Sequence, residues 1–89
     1  MKTAIATSEL TGTNAVGERK RLTIAVGAPE RDPNRAVWSC RVTIADVLKP
    51  TTVEGRDSFD ALTRAVARVR SQLDGLRAEG WSLAAERGE

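Results

Sequence analysis

Apolar and polar positions alternate along residues 21–26, where Leu22, Ile24 and Val26 interleave with Arg21, Thr23 and Ala25. A period of two belongs to a strand with one buried face, so this segment predicts a first strand. The alternation returns more strongly further on, with Trp38, Cys40, Val42 and Ile44 set against Val37, Ser39, Arg41 and Thr43. It predicts a second strand that turns Trp38, Cys40, Val42 and Ile44 toward a core. The stretch between them, Gly27 to Arg35, holds Pro29, Pro33 and Asn34 and reads as a hairpin loop longer than the tightest kind. A short run from Thr51 to Glu54, ending at Gly55, adds a brief third strand.

The period then changes. With Leu62 set at zero and about 100° per residue, Phe59, Leu62, Ala65, Val66, Val69, Leu73 and Leu76 all fall within roughly 60° on either side. This predicts a helix with one continuous apolar stripe and Leu62 at its centre. Asp57 or Ser58 suits the N-cap, and Asp60 places negative charge where the helix dipole favours it. Gly80 suits a left-handed C-cap, with Trp81 following where a hydrophobic contact back onto Leu76 is common. Gly75 falls on the polar side and costs about 1 kcal/mol against alanine.

Residues 1–17 are small and polar apart from a patch at Ala4-Ile5-Ala6, which suits a flexible arm or an edge strand. The expected organisation is therefore this arm, a single domain over 18–82, and a disordered tail over 83–89. The expected fold is α+β in two layers: an antiparallel sheet of three strands, four with the arm, and one long helix across one face. The other sheet face is left open.

Composition narrows the chemistry. The 89 residues allow one modest core, and 40% hydrophobic with 29% charged residues fits an ordinary globule. With no histidine and Cys40 as the sole thiol, a conventional zinc site and an internal disulfide are both impossible within one chain. Ser-His-Asp chemistry is excluded for the same reason, and Cys40 reads as a buried core thiol. The seven glycines are dispersed and form no phosphate-cradling loop. We expect no cofactor, no metal and no catalytic residue. Asp57 and Asp60 read as caps and not as an acid–base pair. Glu9 interrupts the first apolar stretch before a signal-peptide core could form, and a single cysteine agrees with a reducing compartment, so the expected location is cytoplasmic. Membrane association is not expected.

The run from Val53 to Leu62 contains Gly-x-Asp-Ser-x-x-Ala-Leu entering the helix. Together with Trp38-Ser39-Cys40 and Glu18-Arg19-Lys20-Arg21-Leu22-Thr23, it resembles a family of small uncharacterised bacterial proteins classed as a domain of unknown function. That resemblance, from Glu18 to Leu76, implies a shared fold and nothing catalytic. A likeness of architecture alone extends to HicB-type antitoxins, whose three strands and amphipathic helix it matches from the second strand onward. The aromatic and acidic run of that family's second strand is missing here.

Fourteen basic against twelve acidic residues leave a net charge of +2, a weak argument for a nucleic-acid partner. The helical arginines divide, Arg70 and Arg77 on one flank of the stripe and Arg64 and Arg68 on the other side. Asp60 with Arg64, and Arg70 with Asp74, stand at ion-pair spacing. The open sheet face, with Arg21, Thr23, Ser39 and Arg41, is the expected partner-contact surface. The chain accordingly reads as a non-catalytic protein-interaction module that meets another protein or a second copy of itself. The alternative is a nucleic-acid-associated or antitoxin- or immunity-like regulatory module.

Overall fold

The structure is a computed structural model that describes residues 4–45 and 47–85. Its elements in chain order are β1 (Ala4–Thr13), β2 (Arg19–Gly27), β3 (Glu30–Asp32), β4 (Val37–Ile44), β5 (Leu48–Gly55), α1 (Ser58–Ala78) and β6 (Ser82–Ala85). Every strand pairing is antiparallel. The expected α+β class holds, but the expected three or four strands are corrected to six.

The additional strands carry little periodicity of their own. In β6, Ser82-Leu83-Ala84-Ala85 has one large apolar residue, and it becomes a strand through its partner, with Leu83 opposite Gly12 and Ala85 opposite Leu10. Gly12 is the residue that admits it, since a Cβ there would stand 3.2 Å from both Leu83 Cδ2 and the Trp81 ring. The expected disordered tail is thus a strand over 83–85, and its remainder, 86–89, lies outside the described residues. Within the expected hairpin loop, β3 resumes pairing after Gly27-Ala28-Pro29.

Both β2 and β3 use the same edge of β4, because β5 occupies the other edge from Trp38 to Ile44. Across the sheet the order is β6, β1, β2 with β3, β4, β5.

One face of this sheet is covered. Leu22, Ile24 and Val26 of β2 and Cys40, Val42 and Ile44 of β4 are buried with Ala61, Ala65, Val69 and Leu76 of α1. The helix packs on β4 and β5, meets β2 at its margin, and leaves β1 largely uncovered.

Its phase differs from the expected one. Phe59, placed in the core by the wheel, is 78% exposed, Val66 is 39% exposed and Leu62 is half-buried. The buried line runs through Ala61, Ala65, Val69 and Leu76, which turns the helix by about 50°. The cause lies at the helix start, where the backbone of Ala61 rests directly against Gly55. Only small side chains fit so close an approach, so alanines, not Phe59, face the sheet.

Both helix ends are capped as expected. Asp57 Oδ1 accepts from the Asp60 N–H at 2.7 Å, and Asp60 Oδ2 accepts in return from the Arg56 N–H at 2.9 Å. At the other end the Trp81 N–H donates to the Leu76 carbonyl at 3.1 Å and the Gly80 N–H to the Arg77 carbonyl at 3.0 Å. These are the two bonds of a Schellman motif, with Gly80 at φ +99°. The Trp81 ring lies under the Lys20 ammonium, 5.0 Å from its centroid. One expected ion pair is corrected: Asp74 pairs with Arg77 at 3.2 Å and not with Arg70, whereas Asp60 does hold Arg64 at 3.2 Å.

Candidate functional site

The uncovered face of the sheet is built from the positions that alternate with the core. On β2 these are Arg19, Arg21, Thr23 and Ala25, and on β4 Val37, Ser39, Arg41 and Thr43. Register adds Thr7, Glu9, Thr11 and Thr13 from β1 and Thr52 and Glu54 from β5. All four expected contact residues, Arg21, Thr23, Ser39 and Arg41, therefore lie on one face.

They do not form one patch. Thr43 stands opposite Ala25 and Val42 opposite Val26, so Arg41 falls level with Gly27. Arg21 and Gly27 are six residues apart, about 20 Å at a strand's rise of roughly 3.3 Å per residue. Ser39 lies further still, level with Glu30 of β3 and Glu54 of β5. The face thus carries two separate polar groups joined by a span of small residues.

The first group is Arg21 with Glu9. The guanidinium bonds Glu9 Oε1 through Nη2 at 2.7 Å and Nε at 2.9 Å, with both side chains exposed. An exposed pair of this kind adds little stability, but it fixes the arginine's direction. The second group gathers at the far end. Arg35 grips Glu54 with two bonds, 2.7 and 3.1 Å, which hold the guanidinium proton more tightly than usual, first through the hydrogen bond and then through charge. Arg41 stands between Thr52 and Gly27, so its nearest cross-strand neighbours are uncharged.

Between the groups lie Thr7, Ala25 and Thr43. Beside them opens a shallow groove of about 590 Å³, lined by Thr23, Thr43, Ala45, Val47, Leu48, Lys49 and Pro50. Thr23 is the one expected contact residue on it.

The chemistry available here is hydrogen bonding and charge, not bond making. Cys40 is 1% exposed on the opposite face, and burial pushes its thiol above the ordinary range, which suppresses the thiolate. Asp60, the most constrained carboxylate, is committed to helix capping: the Arg56 N–H and then the Arg64 guanidinium hold it below the usual carboxylate range. Among the described residues no cluster of three or more potential metal ligands occurs. No helix among them is long and apolar enough to cross a membrane.

The expectation of a flexible arm or an edge strand over residues 1–17 named no contact residue there, so Glu9, Thr11 and the other β1 members of this face were missed. A signal existed, since Thr7, Glu9, Thr11 and Thr13 repeat every second residue. It is a polar alternation whose other positions, Ala6, Ser8, Leu10 and Gly12, hold a single large apolar residue, and hydrophobic periodicity passes over it.

No curated protein and no solved structure matches the chain. Its sequence does match, over residues 6–87, the family described as Domain of unknown function (DUF6968), and the chain belongs to that family.

Proposed function

We propose that this chain is a non-catalytic protein-interaction module whose contact surface is the uncovered face of the sheet. The observation that supports this reading is the division of labour between the two faces. The helix and the buried side chains of β2 and β4 occupy one side, while the other keeps threonines, small residues and oriented arginines without a covering layer among the described residues.

The chemistry of that face selects a protein partner. Threonine hydroxyls can donate and accept, Arg41 offers a charge flanked by Thr52, and Glu9 and Glu54 give negative counterparts at either end. A phosphate backbone calls for a surface of one sign, and the alternating charges here oppose it. The matching partner presents a flat, mixed-charge surface and reads the face by hydrogen bonds, with Arg41 as the anchor expected to contribute most.

A photo-crosslinking amino acid placed at Thr43 in the native host tests this. The expected product is a discrete protein adduct that is lost when Arg41→Glu is added. A nucleic-acid adduct, or a protein adduct indifferent to Arg41→Glu, would overturn the reading.

A further inference from the structure

On the uncovered face β3 continues the line of β2, because both pair with the same edge of β4. Charge along that line is antisymmetric about Ala25, which stands opposite Thr43. On one arm Arg21 and Arg19 lie four and six residues from Ala25. On the other arm Glu30 is level with Ser39 and Asp32 with Val37, four and six residues from Thr43 along β4. Two cations and two anions therefore stand at matching distances, about 13 and 20 Å from one centre at a strand's rise of roughly 3.3 Å per residue. The centre itself is Thr7, Ala25 and Thr43, all small.

We propose that the partner of this face is a second copy of the chain, docked face to face about a two-fold axis that crosses the strands at Ala25. The inference rests on the reading of this face as a contact surface and names its occupant. Such an axis lays each strand over its own copy in the opposite direction, so that Arg21 meets the second copy's Glu30 and Arg19 its Asp32, each pair occurring twice. A two-fold axis along the strands would instead set Arg21 over Arg21 and Glu30 over Glu30, and like charges reject that arrangement. Twisted sheets stack at about 30° to one another, which displaces the level of Arg21 by a length that an arginine side chain spans. The small centre lets the two faces approach. Arg41, two residues from Thr43, then falls over Ala45, two residues on its other side, where the shallow groove beside Thr23 and Thr43 leaves room for it. Glu9, bonded to Arg21 at 2.7 Å, and the incoming Glu30 flank the same guanidinium.

Sedimentation equilibrium of the full chain, from a few micromolar to several hundred, tests this with charge reversals at exposed positions. The parent is expected to rise with concentration from 9.6 kDa to twice that mass. Arg21→Glu and Glu30→Lys should each stay monomeric alone, because each sets like charges together at two places. Mixed in equal amounts they should form a heterodimer in which both pairs are again of opposite sign, which two unfolded chains would not do. Arg21→Glu/Glu30→Lys in one chain should restore the dimer for the same reason. A dimer that survives either single reversal overturns the proposal, as does a pair of variants that ignore each other on mixing. A parent that remains monomeric overturns it too. A crosslink from Thr43 to a different protein would then leave the face standing as a contact surface, whereas a nucleic-acid adduct would remove that reading as well.

Discussion

A Cβ atom on Gly55 would stand 2.7 Å from the Cα of Ala61, closer than real Cβ atoms approach any atom. The last residue of β5 and the first buried turn of α1 are in backbone contact, and this contact sets how deep and at what rotation the helix lies. Gly55→Ala must therefore push the helix start outward. Overpacking of this kind costs typically 1–3 kcal/mol, and the neighbour here is backbone, which cannot rotate away. The expected outcome is a fall of that size in chemical denaturation, at the upper end of the range.

The same contact explains why Phe59 is outside, and it separates a substitution on the exposed side of the helix from one on the strand beneath it. Phe59→Ala removes a ring that is 78% exposed and should change stability by less than about 0.5 kcal/mol. Ile44→Ala deletes a side chain that is 0% exposed beneath the helix and should cost about 2–5 kcal/mol through lost transfer energy and a cavity. Equal losses for the two in urea titrations would show that the helix rests on its Phe59 side.

Much of this architecture is written in the chain where large apolar residues recur. Leu22, Ile24 and Val26, and Cys40, Val42 and Ile44, are buried on one side as their alternation predicts. Asp57 and Gly80 sit at the helix ends as their conformational preferences predict. The helix phase was not readable, because an apolar arc some 120° wide is compatible with several rotations and only the Gly55 contact selects one. For β6 the reason differs: a four-residue strand with one large apolar side chain, Leu83, is stabilised by Gly12 and Leu10 on β1, more than sixty residues away. The candidate face shows both cases. Arg21, Thr23, Ser39 and Arg41 were placed on it by period, but the distance between them depends on register, which alternation does not encode.

Helix capping leads to a pH dependence with a definite sign. Asp60 is held below the usual carboxylate range first by the Arg56 N–H and then by the Arg64 guanidinium. A depressed folded-state pKa means that the folded form prefers the carboxylate, so its contribution is complete above the ordinary aspartate pKa of about 3.9. That contribution is lost as the pH falls through the lower, folded-state value. Melting temperatures recorded from pH 6 to pH 2 should fall on the acid side, and the fall should be shallower in Asp60→Asn. Identical acid limbs for parent and variant would remove Asp60 from the account.

Cys40 offers a probe of the whole fold, because its thiol is sealed from two directions. It is 1% exposed, it faces α1 from the middle of β4, and β5 pairs alongside it through Val53. Reaching the sulfur requires the helix to leave the sheet, and α1 is tied at one end by Gly55 against Ala61 and at the other by the Schellman bonds to Trp81. Burial also raises the thiol pKa, so even a reagent that reached it would meet little thiolate at neutral pH. Labelling by an aromatic disulfide at pH 7.5 should therefore be slower than in denaturant by a factor near the unfolding equilibrium constant, about 10³ or more for a stable small domain. In Gly55→Ala, where the helix start is displaced, the rate should rise tenfold for each 1.4 kcal/mol lost in denaturation, because both report the same opening. Labelling of the native parent at the denatured rate would mean that strand β4 turns its other face to the helix, and the assignment of the two sheet faces would have to be reversed.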